Sequence, residues 1–422
     1  MLIRKLALIS IFTALSVFAW PWTEDSVSRL RITWSDDPST TANIIWDAGS
    51  RKASSQKLYF GLIDHGTKYR KYSNSISLSK LDKFKGMYNA TVRLKNLQPD
   101  TKYFFVIRTS KGKLSKRYWF ETISNDSTTR LSIISGGDSR NNRTPRVNAN
   151  KLVAKLKPHF VFFGGDMTSI DSSSQWEKWF NDWQHTISSD GRITPIVAAR
   201  GNHERSNESI SRLFSTNSGV YYALSFGGNL LRAYTLNSES SVSGNQYQWL
   251  KKDLKENMSY TWKMAQYHYP IRPHTKRKKE KQKQYDNWAK LFYDYQVQLV
   301  VECDAHVVKT TYPVRPSREK GSDEGFIRDD ERGTVYVGEG CWGAPLRRNN
   351  DDKKWTRNSG SFNQVKWIMV GYDDREIRTI KTDNADAVGT VKDNNIFQPP
   401  AKLNIWKPSN GAVVTIRKRG KL

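Results

Sequence analysis

The stretch Ile193-Thr194-Pro195-Ile196-Val197-Ala198-Ala199-Arg200-Gly201-Asn202-His203-Glu204 runs from an apolar segment straight into a polar turn. Residues 193–199 read as a strand buried on both faces, because so short and nearly unbroken an apolar run suits that setting. The turn that follows sets a neutral amide oxygen beside an imidazole. A divalent ion and a general acid together would need both. One tetrapeptide decides little, so the question is whether other strand ends carry ligand-type residues.

They do. A strand over 131–135 ends in Gly136-Gly137-Asp138-Ser139-Arg140, and one over 160–163 ends in Gly164-Gly165-Asp166-Met167. A run at 262–267 delivers His268, and a buried run at 297–302 delivers Cys303-Asp304-Ala305-His306. Glycines before the two early aspartates let the backbone turn sharply. Helical patterns lie between the strands. One opens at Pro145 and closes before Pro158; another spans 173–187, with Trp176, Trp179, Phe180 and Trp183 at helical spacing as a core stripe. Strands alternating with helices signal an α/β domain, and open α/β sheets gather ligands outside strand carboxyl ends.

Taken singly, Asp138, Asp166 and Asn202 are turn formers and His268 is a satisfied buried histidine. Jointly they are harder to dismiss, since three of only seven histidines (His203, His268, His306) fall in these loops. Asp138, Asp166, Asn202, His268, Asp304 and His306 form a mixed oxygen and nitrogen shell. Such a shell suits two metal ions roughly 3.5–4 Å apart that share a carboxylate. The absence of clustered thiolates argues against a structural zinc site. In-line displacement at phosphorus is the natural chemistry of paired ions.

Upstream, from about 28 to 123, short alternating strands read as a β-sandwich: 30–34, 42–46, 88–94, 102–107 and 118–122. Leu97-Gln98-Pro99-Asp100-Thr101-Lys102-Tyr103 places Tyr103 to return its hydroxyl to the backbone as a tyrosine corner, similar to a fibronectin type III module. A polar linker at 124–129 separates the two styles. Late in the chain, 366–372 and 375–382 read as a hairpin, and 403–406 and 413–416 as further strands. The expected fold class is an all-β N-terminal sandwich plus an α/β domain. Its divisions are a leader at 1–19, a sandwich at 20–126, the α/β domain at 127–383 and a C-terminal extension with a basic tail at 384–422.

The leader follows from Arg4 and Lys5 ahead of an uncharged apolar run at 6–19, too short for a comfortable span. No later stretch is apolar enough to cross a bilayer, so a secreted or periplasmic location is expected. Cys303 and Cys341 are the only cysteines. Two buried thiols and a single disulfide are equally compatible with them. Of 422 residues 37% are hydrophobic, enough for a sizeable core and against global disorder. The net charge of +27 favours anionic ligands without choosing among phosphate esters, nucleic acid and lipid head groups. The run His274-Thr275-Lys276-Arg277-Lys278-Lys279-Glu280-Lys281-Gln282-Lys283 is either a cationic rim drawing in substrate or a solvated charge run. It lacks the interleaved aromatics of a single-strand binder, so no stable nucleic-acid partner is expected.

Residues 131–314, and on to about 380, resemble the calcineurin-like metallophosphoesterases, and the preceding sandwich points to the purple acid phosphatase-like branch. The resemblance rests on the ordered set Gly137-Asp138, Gly165-Asp166, Gly201-Asn202-His203-Glu204, His268 and Cys303-Asp304-Ala305-His306. It implies a β-sandwich flanked by helices holding two ions, Fe, Zn or Mn. Asp138 and His306 would hold the first ion, Asp166 would bridge, and Asn202, His268 and Asp304 would hold the second. His203 would act on phosphate charge or the leaving oxygen as a catalytic residue, and a metal-bound hydroxide would be the nucleophile. Arg140 stands where many relatives carry a metal-binding His, Ser169 where the purple enzymes carry a Tyr, and Asp304 where the first His of GHxH falls. The first ion thus loses one ligand, the tyrosinate colour should be absent, and Arg140 becomes a catalytic and phosphate-binding candidate. His203 and His274 complete the expected substrate contacts. The implied activity is hydrolysis of a phosphate monoester on a phosphorylated small molecule or polyanion. A phosphodiesterase or nuclease of the same fold is one alternative, and a surface-binding protein with a degraded metal site is the other. Oligomeric state is left open.

Overall fold

The computed structural model describes residues 25–140 and 142–418, so the expected leader and the end of the basic tail lie outside the described residues. Two four-stranded antiparallel sheets make the first domain. One orders Ser28–Thr33, Ala42–Asp47, Met87–Leu94 and Lys80–Phe84; the other orders Asn74–Ser77, Lys57–Gly61, Lys102–Arg108 and Tyr118–Glu121. Their inward residues, among them Ile32, Ile44, Trp46, Val92, Phe105 and Ile107, form one core. The Tyr103 hydroxyl accepts the Gln98 N–H at 2.8 Å, closing the corner. Lys57–Gly61, Asn74–Ser77 and Lys80–Phe84 carry no clear sequence signal. The last two are polar edge strands with little buried surface to impose an alternation.

The second domain stacks two larger sheets. A six-stranded sheet runs Ile196–Ala198, Phe160–Phe163, Leu131–Gly136, Gln364–Val370, Asp374–Lys381, Val413–Arg417. A seven-stranded sheet runs Tyr222–Phe226, Leu231–Thr235, Trp262–Gln266, Leu299–Glu302, Val335–Gly338, Val308–Thr311, Thr356–Gly360. Alternation along each strand sorts the apolar side chains. Phe160 and Phe162 meet Met264, Leu299, Val301, Val335 and Val337 between the sheets, while Val161 and Phe163 turn outward to Trp176, Trp179, Phe180 and Trp183. The aromatic stripe is therefore core, carried on a helix over Ser173–Trp183 whose Ser172 hydroxyl accepts from Gln175 N. On the far side Val300, Ala265 and Tyr336 pack under Leu250, Leu254, Trp288 and Phe292. The result is a β-sandwich with helices on both outer faces.

Late segments diverge from expectation in one respect. Val413–Arg417 does form an edge strand on Asp374–Lys381, but among the described residues 403–406 makes a single isolated bridge, Ile405 to Ile380. Leu403 and Ile405 instead lie half-buried against the helix-side core.

The two domains are fused. Arg31 is wholly buried, donates to the Leu213 carbonyl at 2.7 Å and lies 4.2 Å over the Phe180 ring. Lys85 donates to the Asp171 carbonyl at 2.6 Å, and Asp171 in turn accepts from Trp176 Nε1 and the Ser209 hydroxyl. The first domain so braces the segment that follows Asp166.

Candidate metal centre

Parallel pairing puts the carboxyl ends of the strands on one edge. Leu131–Gly136, Phe160–Phe163 and Ile196–Ala198 run parallel in one sheet; Trp262–Gln266, Leu299–Glu302 and Val335–Gly338 do so in the other. At those ends Asp138, Asp166, Asp304 and His306 all take positive φ, at 56°, 56°, 65° and 53°. Non-glycine residues seldom hold this left-handed conformation, and its clustering marks a functional site. Each such turn reverses the chain at once, so the side chain rather than the loop occupies the shared space.

The structure brings together Asp138, Asp166, Asn202, His203, His268, Asp304 and His306. His306 Nε2 lies 3.0 Å from Asp138 Oδ1. His268 Nε2 lies 3.1 Å from Asn202 Oδ1, 3.3 Å from Asp166 Oδ1 and 3.7 Å from Asp304 Oδ1. His203 Nε2 lies 3.8 Å from Asp166 Oδ2. Two ligand triads arise, Asp138-Asp166-His306 and Asp166-His268-Asp304, with the atoms of each within 4.8 Å of one another. Asp166 belongs to both. That is the arrangement of two ions joined by one carboxylate.

Each histidine is held by its other nitrogen. His268 Nδ1 donates to the Gly164 carbonyl at 2.9 Å, His306 Nδ1 to the Pro345 carbonyl at 2.8 Å, and His203 Nδ1 to the Ser169 carbonyl. A carbonyl partner fixes the tautomer and leaves the Nε2 lone pair facing inward, as a metal ligand requires. Asp166 Oδ2 and Asp304 Oδ2 are buried without a hydrogen bond among the described residues. Orphaned carboxylate oxygens in such a place fit a cation. The charges agree. Burial opposes charge on both Asp166 and His268, but the nearby histidines bring Asp166 down to about 2, and Asp166 with Asp138 lifts His268 well above its ordinary value, a pull on positive charge that a bound cation would answer in place of the His268 Nε2 proton.

Glu204 anchors the ensemble from behind. It is fully buried; Oε2 accepts from Asp166 N at 2.9 Å and Gly201 N at 2.8 Å, and Oε1 from Met167 N at 2.7 Å. Burial and the Asp166 charge push it up to about 7, against the pull of these N–H groups. Gly201 is required by close approach: a Cβ there would sit 2.3 Å from Asp166 Oδ1.

Other candidates land differently. Arg140 is half-buried, its N–H donates to the Asp166 carbonyl at 3.1 Å, and its Nε is enclosed without a partner among the described residues. His274 does not contribute to the opening as expected. It is fully buried, with Nε2 2.7 Å from the Thr356 hydroxyl and its backbone N–H donating to Glu339 Oε2 at 3.0 Å. An enclosed ring already bonded to protein cannot receive substrate. Its carboxylate partner belongs to a buried trio in which Lys309 pairs with both Glu302 and Glu339. Cys303 and Cys341 are free and buried. Cys303 stands in a third possible ligand group with Asp138 and His268, and burial pushes its thiol up to about 12.

Two site cations escaped the sequence reading. Lys278 Nζ pairs with Asp304 Oδ1, and Arg347 Nη1 donates to the Asp304 carbonyl. Lys278 sits in the charge run, whose composition does not say which member turns inward. Arg347 had no signal at all.

Residues 27–122 match the family model of the purple acid phosphatase N-terminal domain, and residues 139–308 match that of the calcineurin-like phosphoesterases. The chain thus joins a domain similar to the purple acid phosphatase N-terminal domain to one similar to the calcineurin-like phosphoesterases. A curated relative of this chain is purple acid phosphatase 15 of Arabidopsis thaliana, 24% identical over 302 residues, which cover 58% of this chain and 55% of the relative. The chain thus matches little more than half of that relative's length. Among solved structures, the purple acid phosphatase PPD1 of yellow lupin (Lupinus luteus) superposes with a TM-score of 0.71 at 16% identity, covering 86% of this chain and 73% of that one. A structure of PhoD gives 0.67 at 11% identity, covering 92% and 90%. At these identities both establish the fold alone. No helix among the described residues is long and apolar enough to cross a membrane.

Proposed function

We propose that the chain is an exported, metal-dependent phosphohydrolase acting on phosphate monoesters. The observation that carries this reading is the pair of ligand triads sharing Asp166, lined by orphaned carboxylate oxygens. Asp138, Asp166 and His306 would hold one ion; Asp166, Asn202, His268 and Asp304 the other. When bound, such ions lower the pKa of water and draw charge off a phosphoryl oxygen.

The chain's own groups complete the chemistry. His203 keeps its Nδ1 on the Ser169 carbonyl and presents Nε2 beside the shared aspartate, in place to protonate a leaving oxygen or steady phosphate charge. Arg140, with Nε unengaged, suits phosphate oxygens, which a guanidinium fork binds in pairs. Arg4 and Lys5 ahead of the uncharged apolar run at 6–19, the pattern of a leader, are what support export.

The reading is tested by substitution and metal analysis together. His203→Ala should cut hydrolysis of a simple monoester by roughly 10²–10⁴-fold with bound metal retained, as expected for loss of a general acid. Asp166→Ala should lose both. Undiminished activity in Asp166→Ala refutes the bridging role. Hydrolysis of bis-esters or nucleic acid in preference to monoesters would move the assignment to a phosphodiesterase.

A further inference from the structure

Asp304 stands at the corner of the second triad, yet its two oxygens have different company. Oδ1 is paired with Lys278 Nζ at 2.5 Å, and Oδ2 is buried without a hydrogen bond among the described residues. The carboxylate side chain is 3% exposed and the lysine 25%. The ammonium therefore reaches the ligand shell from the solvent side, with only part of itself enclosed.

Its position is built. The 271–281 loop is tied down at several points: Lys281 N donates to the Ile271 carbonyl at 3.0 Å, Lys278 N to the Thr275 carbonyl at 3.1 Å, and Lys276 N to Asn350 Oδ1 at 3.1 Å. Beneath them His274 is locked on buried Glu339. Neighbouring Lys276, Arg277 and Lys279 are exposed; Lys278 alone of this group is drawn in.

We propose that Lys278 is a phosphate-positioning residue that shares Asp304 with the second metal ion. This rests on the reading of the loop cluster as a phosphohydrolase centre. An ammonium carries three donors. One is spent on Asp304 Oδ1, which leaves two on a partly exposed side chain to hold a phosphoryl oxygen. Oδ2 serves the ion. A carboxylate that also pairs with an ammonium gives less charge to the metal, so Lys278 weakens the second ion's binding while strengthening that of phosphate. The opposed signs are the signature. A merely structural lysine would, on removal, weaken both.

The test uses the full mature chain and two probes, Mn²⁺ titrated into metal-stripped protein and inorganic phosphate titrated into the loaded protein. In Lys278→Met the weaker Mn²⁺ site should tighten several-fold, and phosphate affinity should fall roughly tenfold, the size of one charge-assisted hydrogen bond. Lys278→Arg should restore phosphate binding to within about threefold, since the charge and donors remain. Lys279→Met, with the same change in net charge, should move neither. If Lys278→Met weakens both ligands, or Lys279→Met matches it, the shared-carboxylate role is overturned while the metal centre stands. If the unaltered protein binds no Mn²⁺, the proposed function falls and this inference with it.

Discussion

Glu204→Gln removes one negative oxygen at a point where two loops are fastened by a single carboxylate. Three backbone N–H groups converge on it within 2.7–2.9 Å, from Asp166, Met167 and Gly201. Hydrogen bonds to a charged acceptor contribute about 1.5–3 kcal/mol each, and an abandoned buried N–H costs about 1–3 kcal/mol. Glutamine keeps one acceptor oxygen and turns an NH₂ donor toward the N–H groups on the other side. At least one of them is left unpaired, and the rest lose their charge assistance. The gross loss is partly offset, because burying glutamine is cheaper than burying a carboxylate. A net destabilisation of about 2–4 kcal/mol is expected. Urea unfolding followed by tryptophan fluorescence measures it, and amide exchange locates it, with faster exchange at Asp166, Met167 and Gly201. Stability within about 1 kcal/mol of the parent, with unchanged exchange at those three amides, would refute the fastening role.

Three further outcomes follow from single sites. Gly340→Ala places a Cβ 1.7 Å from Asp138 Oδ2 at a residue with φ of 70°, so metal content of the first site should collapse while the first domain stays folded, as read by elemental analysis and circular dichroism. His159 is half-buried against the Phe397 ring, and burial followed by nearby Arg192 lowers it to about 4; in the unfolded chain it titrates near 6.5. Between those values the unfolded state binds the extra proton, so stability should fall as pH drops from 6.5 to 4, by roughly 3 kcal/mol, and an uncharged replacement should flatten that slope. Lys366, buried with the Thr310 and Thr379 hydroxyls as its hydrogen-bond partners among the described residues, is lowered by burial to about 7. The unfolded chain holds its proton up to about 10.4, so stability should rise with pH between 7 and 10. Lys366→Met should raise unfolding free energy at pH 7 by roughly 3–5 kcal/mol and remove the rise.

The parts of this molecule legible in its sequence are those whose physics is local. Strands buried on both faces read as short apolar runs, and each was followed by a Gly, Asp, Asn or His turn, so Asp138, Asp166, Asn202, His268 and His306 could be placed on strand ends before any coordinate. The edge strands at 74–77 and 80–84 could not, because half-exposed Ser, Asn and Lys leave no alternation to detect. The charge run was harder still. His274 and Lys278 are four residues apart in one irregular loop, yet the first is sealed inside and the second reaches the ligand shell. No period relates them. What separates them is their partners far along the chain: buried Glu339 accepts the His274 backbone N–H, while Lys278, past the turn closed on Thr275, pairs with Asp304. Glu339 itself is held by Lys309, which is held by Glu302 at the end of the strand that delivers Asp304. The cation at the mouth is thus positioned through a chain of buried ion pairs rooted in the same strand as the carboxylate it meets. Breaking Lys309 should therefore displace Lys278 as well as destabilise the core.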